Sequence, residues 1–84
     1  MSENAVALPL HIIIKGHCLE YFPQIPEEFT WQAKPGQTIT MILQDLGIKP
    51  QLIMSVVVNG IVTKKNYQPL GGERIILLSP PTGG

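Results

Sequence analysis

An unbroken apolar run near the end of the chain, Ile75-Ile76-Leu77-Leu78, most strongly limits the folds that this sequence can adopt. A short run without polar alternation is typical of a central strand that is covered on both faces. Such a strand needs hydrogen-bonding neighbours on both edges and another layer packed against the sheet. The rest of the chain must therefore supply further strands and an element that covers them.

Other segments carry strand patterns. Apolar residues alternate from Leu8 to Lys15 and predict the first strand. A second alternation over residues 28–34 predicts a half-buried strand antiparallel to the first. Residues 54–58 are mostly β-branched, and Asn59-Gly60 is the dipeptide that best forms a tight hairpin, with a short strand returning after it.

A single segment has helical spacing. Thr38 stands where a helix N-cap belongs, Gly47 is placed to take the left-handed conformation that ends a helix, and Pro50 prevents continuation. Between them the apolar residues follow the i, i+3, i+4, i+7 pattern: Ile39, Ile42, Leu43 and Leu46.

The order strand, strand, helix, strand, short strand, strand predicts an α+β protein. We expect a mixed sheet of four to five strands with one main helix on one face, and with the first and last strands central. This is the β-grasp, or ubiquitin-like, arrangement. Periodicity supports the elements but does not by itself determine their topology.

Composition limits the class of protein. The 84 residues are enough for one domain with a modest core, and six basic residues balance six acidic ones. This balance argues against a nucleic-acid or membrane-surface partner and favours protein partners. With one cysteine, Cys18, no internal disulfide can form, and the sequence shows no targeting segment, so we expect a cytoplasmic protein.

We divide the chain into three parts. Residues 1–7 are expected to be a disordered N-terminus, residues 8–79 the folded domain, and residues 80–84 a flexible, unpaired tail. No metal site is expected, because His11, His17 and Cys18 do not have the spacing of zinc ligands. Cys18 also lacks a recognisable base to activate it as a nucleophile, and no bound cofactor is expected.

The predicted tail has properties suited to chemistry at its end. Pro80-Pro81 favours extended polyproline II backbone, which holds the tail away from the domain. Gly83 and Gly84 lack side chains and can pass through a slot too narrow for any Cβ atom. At neutral pH the terminal carboxylate of Gly84 is an anion, able to attack an activated phosphate.

Three stretches carry a family resemblance: Val58-Asn59-Gly60, then Leu70-Gly71-Gly72-Glu73-Arg74-Ile75, and finally Pro80-Pro81-Thr82-Gly83-Gly84. Together they resemble the ThiS/MoaD family of ubiquitin-like sulfur carriers. The double proline before the final Thr-Gly-Gly is similar to the small subunit of molybdopterin synthase. Two features depart from the family: Glu73 stands where the family usually has aspartate, and the loop over residues 16–27 is long.

The resemblance implies a carrier and not an enzyme. A ubiquitin-activating-like adenylyltransferase would use ATP to adenylate the Gly84 carboxylate, and a persulfide sulfur would then displace AMP to leave a thiocarboxylate. The carrier would next meet a sulfur-acceptor enzyme such as the large subunit of molybdopterin synthase. Gly84 would be the reacting residue, and the preceding tail residues, Pro80, Pro81, Thr82 and Gly83, would pass into the partner's active site.

The sequence is also compatible with other functions. The sulfur acceptor could belong to thiamin synthesis, tRNA thiolation or another pathway. The chain could instead be a protein modifier joined to lysine through Gly84, or a β-grasp interaction module with an incidental tail.

One helix can cover only one face of the sheet. Ile13 and one alternate set of the last strand, either Ile75 with Leu77 or Ile76 with Leu78, must point to the other face. We predict that Ile13, Ile76 and Leu78 form a partner-docking surface beside the tail. The alternative is that the loop over residues 16–27, with Tyr21 and Phe22, folds back over this face.

Overall fold

A computed structural model describes residues 8–80, which form a five-stranded sheet and one α-helix. The strands are β1 (Leu8–Lys15), β2 (Glu28–Ala33), β3 (Ser55–Val58), β4 (Ile61–Thr63) and β5 (Arg74–Leu78). The helix α1 spans Ile39–Leu46, and two short 3-10 turns span His17–Tyr21 and Pro50–Leu52. The predicted strands and helix are confirmed, with boundaries that differ by at most one residue from those expected.

The sheet order is β2-β1-β5-β3-β4. The central strands β1 and β5 are parallel, whereas the outer pairings, β1 with β2, β5 with β3 and β3 with β4, are antiparallel. A mixed sheet with the first and last strands at its centre and one helix across it is the β-grasp fold, as the order of elements predicts.

Local signals position the helix as expected. The Thr38 hydroxyl accepts a hydrogen bond from the Met41 amide at 3.2 Å, so it satisfies one of the free N–H groups of the first turn. Gly47 ends the helix with φ of 82°, a conformation that favours glycine. These caps set the length of α1 and therefore the part of the sheet that it covers.

The core lies between α1 and one face of the sheet. The helix contributes Ile39, Ile42 and Leu43, and the strands contribute the side chains of one alternation. We call the following set the core cluster: Leu10, Ile12, Ile14, Cys18, Ala33, Ile39, Ile42, Leu43, Ile48, Ile53, Val56, Val58, Ile75 and Leu77.

The apolar run of β5 divides between the two faces. Ile75 and Leu77 are buried in the core cluster, whereas Ile76 and Leu78 are half-buried and point to the opposite face. This settles which alternate set faces the helix. The opposite face, which α1 does not cover, is called the open face below.

The predicted hairpin joins β3 to β4 and also contacts β5. Asn59 and Gly60 have φ of 51° and 85°, the two positive values that a tight two-residue turn requires. The Asn59 side-chain oxygen accepts a hydrogen bond from the Arg74 amide at 2.9 Å, and the Asn59 amide donates to the Arg74 carbonyl at 2.9 Å. The turn therefore holds the beginning of the central strand β5 as well as its own two strands.

The expectations for residues 1–7 and 81–84 lie outside the described residues. Pro80, which the sequence assigns to the unpaired tail, is described and accepts a hydrogen bond from the domain through its carbonyl oxygen. The described residues contain no helix that is long and apolar enough to span a membrane.

Two neighbouring isoleucines test the division of β5. Ile75→Ala is expected to lower the free energy of unfolding by about 2–5 kcal/mol, because it leaves a cavity in the core cluster. Ile76→Ala removes the same atoms from the half-buried open face and should cost roughly half of this or less. Urea denaturation of both variants gives the comparison, and equal losses would contradict the assignment of faces.

Candidate functional site

The candidate site begins where the chain leaves β5. Ser79 is only 5% exposed. Its amide donates to the Lys15 carbonyl at 2.8 Å, its hydroxyl lies 3.1 Å from the same oxygen, and the hydroxyl oxygen accepts from the Cys18 amide at 3.0 Å. Ser79 is thus bonded both to the end of β1 and to the loop that follows β1.

The next residue is bonded to the same loop. The His17 amide donates to the Pro80 carbonyl at 2.8 Å. Between the two contacts lies Gly16, with φ of 106°, and a Cβ atom there would lie 2.3 Å from the Ser79 carbonyl oxygen and 2.4 Å from its hydroxyl. Only glycine permits both this conformation and this close approach. We call Gly16, His17, Cys18, Ser79 and Pro80 the exit clamp.

The open face lies beside the exit clamp. The strand registers place Ile13, Ile76, Val57 and Val62 in one row across β1, β5, β3 and β4. Val62 is 74% exposed at the outer end of this row, whereas Ile76 and Val57 are half-buried. An apolar row that ends in a strongly exposed valine is a suitable contact surface for another protein.

Ile13 differs from the other predicted docking residues, because it is only 4% exposed. It lies on the same side of β1 as its neighbours His11 and Lys15. The side chain of His11 hydrogen-bonds to Glu28, and the Lys15 ammonium lies 2.6 Å from the Glu27 carboxylate. These two pairs bracket Ile13 along the strand. Ile76 and Leu78 are the more accessible of the three predicted docking residues, and their docking role stays a prediction.

The loop over residues 16–27 packs against the core cluster. Its residues Leu19, Phe22 and Ile25 pack against the core cluster, and Cys18 is a member of that cluster. Tyr21 is exposed. The apolar side chains Leu19, Phe22 and Ile25 therefore join the helix-side core. Phe22 packs there and not over the open face, as the alternative had required.

The possible metal ligands of the sequence have separate partners. His11 pairs with Glu28 on the open face, and His17 lies 3.2 Å from Glu20 within the 3-10 turn. Cys18 is buried with a free thiol. Among residues 8–80, no group of three histidine, cysteine, aspartate or glutamate side chains has the arrangement of a metal site.

A second polar cluster lies at the opposite end of β5. The Glu73 carboxylate, in a residue only 7% exposed, accepts hydrogen bonds from the amides of Leu70 and Gly71 at 2.8 and 2.7 Å and from the Tyr67 hydroxyl. The hydrogen bond to Glu73, together with desolvation and the negative charge, raises the pKa of Tyr67 above its ordinary value of 10.0. This cluster joins the turn before β5 to Tyr67 through the Glu73 carboxylate.

The sequence predicts Pro80, Ile76 and Leu78 as site residues, a role that stays a prediction, and it does not indicate most of the exit clamp or the outer end of the open face. Gly16 and Ser79 carry no local signal that they touch. Val57 and Val62 were recognisable as outward positions of the hairpin strands, because residues of a tight hairpin alternate between faces in a known register. Gly84, Gly83, Thr82 and Pro81 lie outside the described residues.

No protein-family model matches the chain, and no curated protein matches its sequence. Its fold is similar to the solution structure of the Haloferax volcanii HVO 2177 protein, with a TM-score of 0.71 and 16% sequence identity. The similarity covers 100% of this chain and 93% of that one. At this level of identity it concerns the fold alone, and it agrees with the β-grasp arrangement.

The Glu73 cluster predicts a specific alkaline response. Because the folded state raises the pKa of Tyr67, its contribution to stability is fully present below pH 10.0 and is lost as the pH rises through the raised value. Tyr67→Phe should therefore be less stable than the wild type at neutral pH, and this difference in stability should narrow as the pH rises above 10.0.

Chemical denaturation from neutral to alkaline pH measures the difference in the free energy of unfolding between Tyr67→Phe and the wild type. Tyr21→Phe, which removes the same hydroxyl from an exposed position, is the control and should leave stability nearly unchanged. A Tyr67→Phe gap that stays constant through the alkaline range would contradict the assigned hydrogen bond.

Proposed function

We propose that this protein is a sulfur carrier whose Gly84 carboxylate is adenylated by a partner enzyme and converted to a thiocarboxylate. The observation that carries the proposal is the path of the chain from the central strand β5, through the anchored residues Ser79 and Pro80, into the sequence Pro-Thr-Gly-Gly. A β-grasp domain that ends in this sequence resembles the ThiS/MoaD carriers both in its fold and in its C-terminal residues.

The chemistry requires activation by a partner. A carboxylate is a poor electrophile, so an oxygen of the Gly84 carboxylate first attacks the α-phosphorus of ATP and pyrophosphate leaves. A persulfide sulfur then attacks the acyl carbon, and AMP leaves with the bonding electrons. A second thiol cleaves the resulting sulfur–sulfur bond, which leaves a thiocarboxylate on the carrier and a disulfide on the partner. The carrier itself supplies the carboxylate, the side-chain-free approach of Gly83 and Gly84, and the docking surface.

In this proposal the adenylyltransferase docks on the open face. Leu78 is the last residue of β5 and stands on the open face immediately before the exit clamp. A partner that contacts Ile76, Leu78 and Val62 is therefore already beside the point where the tail begins. Docking of this kind places the carboxylate near its reaction partner without any chemistry on the domain.

The double proline favours molybdopterin synthesis as the pathway, with the large subunit of molybdopterin synthase as the sulfur acceptor and the cytoplasm as the compartment. Carriers for thiamin synthesis or tRNA thiolation, and protein modifiers, begin with the same adenylation. They differ in what the activated Gly84 is transferred to, so the acceptor distinguishes them.

Extension of the chain tests the reacting group. One glycine appended after Gly84 should abolish adenylation, because the carboxylate then lies one residue too far along the tail. The unfolding midpoint should not change, since the addition alters no residue of the core cluster. One glycine appended before Met1 is the control with the same composition.

The assay is ATP-dependent pyrophosphate release with a ubiquitin-activating-like adenylyltransferase from the same organism. Loss of activity only in the C-terminal extension is the expected result. Equal activity of both extended proteins would show that Gly84 is not the residue activated.

Two neighbouring residues of β4, Ile61 and Val62, allow a matched test of the docking surface. Val62 and Ile61 are 74% and 69% exposed, but Val62 lies in the row of the open face and Ile61 pairs with Val58 of the helix-side core. Val62→Asp should weaken binding to the adenylyltransferase by about tenfold or more, because docking would desolvate a charge. Ile61→Asp should bind with nearly wild-type affinity.

Isothermal titration with the adenylyltransferase measures both affinities. Both substitutions place aspartate on the same exposed edge strand, so their effects on monomer stability should be similar. A greater loss of affinity for Ile61→Asp than for Val62→Asp would place the docking surface on the other side of the sheet.

A further inference from the structure

We propose that the exit clamp is a positioning device that fixes where the tail starts and therefore how far the Gly84 carboxylate can reach. The proposal rests on the proposed function, since it concerns the adenylation of Gly84. Its residues are Gly16, His17 and Cys18 on the loop after β1, and Ser79 and Pro80 after β5. They touch no substrate and act through the position of the tail.

The clamp holds both the backbone and a side chain at the exit. The amide of Ser79 and the carbonyl of Pro80 bond to Lys15 and His17, both at 2.8 Å. The Ser79 hydroxyl bonds to Lys15 and Cys18. Ser79 and Pro80 are therefore each bonded to the segment that begins at Lys15, which fixes the position of the last described residues of the chain.

The loop side of the clamp is itself packed on the domain. Cys18 is buried in the core cluster, so the amide that donates to Ser79 is held by packing on the domain. The His17 ring lies 3.2 Å from the Glu20 carboxylate and packs edge-on against Tyr21, with ring centroids 5.3 Å apart. The clamp thus connects Ser79 and Pro80 to a segment that packs on the core cluster.

Gly16 makes the clamp possible. Its φ of 106° and the absence of a side chain let Ser79 approach to a distance that any Cβ atom would prevent. A substitution at Gly16 must therefore displace Ser79, the loop or both. The long loop, which departs from the family that the sequence resembles, supplies this glycine at its first position.

A fixed exit limits the reach of the tail. Four residues follow Pro80, and fully extended they span at most about 14 Å. The reacting phosphorus of the partner must lie within this distance of the clamp when the open face is docked. An error of about 1 Å in the position of a reacting group can lower the rate about 100-fold. A clamp that fixes the start of the tail would therefore increase the rate of adenylation.

Gly16→Ala tests the proposal, with Gly36→Ala as the matched control. Gly36 also has positive φ, 82°, but a Cβ atom there meets nothing within 4 Å, so the control carries backbone strain without touching the clamp. Ser79→Ala, which removes the hydroxyl and leaves Gly16 unchanged, is the second test variant. All are assayed at a temperature where each is fully folded.

We expect Gly16→Ala to lower the kcat of adenylation by about tenfold, with a smaller effect on KM because the open face still docks. Ser79→Ala should lower kcat in the same direction, and Gly36→Ala should leave it unchanged. In the free proteins, amide exchange at Ser79 and His17 should accelerate by about tenfold in Gly16→Ala but not in Gly36→Ala.

A shortened tail gives an independent readout of reach. Deletion of Thr82 removes about 3.5 Å and should nearly abolish adenylation in the otherwise unchanged chain. Combined with Gly16→Ala, which frees Ser79 and Pro80 to extend, the deletion should recover part of the lost activity. If Gly16 acted only through the stability of the fold, Gly16→Ala would not restore adenylation of the chain that lacks Thr82.

The outcomes separate the two proposals. If the wild-type chain is not adenylated, the proposed function fails and the positioning role fails with it. If the wild type is adenylated and Gly16→Ala has the same kcat as Gly36→Ala, the sulfur-carrier proposal stands and the positioning role is overturned. Equal activity of the Thr82 deletion with and without Gly16→Ala would likewise overturn it.

Discussion

The parallel pairing of β1 with β5 is the interaction on which the rest of the structure depends. It runs from His11 opposite Arg74 to Lys15 opposite Leu78, and the other three strands are added to its two edges. Parallel strands end at the same edge of a sheet, so the loop after β1 and the tail after β5 leave the domain side by side. The contacts between Gly16 and Ser79 follow directly from this pairing.

The position of α1 determines which face of the sheet stays uncovered in the described part of the chain. Because α1 covers one side, the alternation of β5 buries Ile75 and Leu77 and leaves Ile76 and Leu78 half-buried on the open face. The same pairing that brings the loop to the tail also brings this apolar face to the tail. Under the proposed function, a partner bound to the open face would contact the domain beside the point where the chain leaves β5.

The sequence predicted the elements well because their signals are local. The Thr38 cap, the Gly47 terminus and the Asn59-Gly60 turn each depend on a few adjacent residues. The exit clamp depends on residues separated by 61 positions, and no local pattern reports that Cys18 donates to Ser79. The low exposure of Ile13 was also not predicted, because the alternation pattern treats its neighbours His11 and Lys15 as solvent-exposed, whereas each of them pairs with a glutamate.

The central claim is that Gly84 carries sulfur. The intact mass of the protein isolated from its native source, without reducing agents or acid, tests this most directly. A sulfur carrier should yield a fraction of molecules that are heavier than the unmodified chain by the mass difference between sulfur and oxygen, and fragmentation should locate this difference at Gly84. A series of larger adducts joined to other proteins through Gly84, with no sulfur-bearing form, would contradict it and identify a protein modifier.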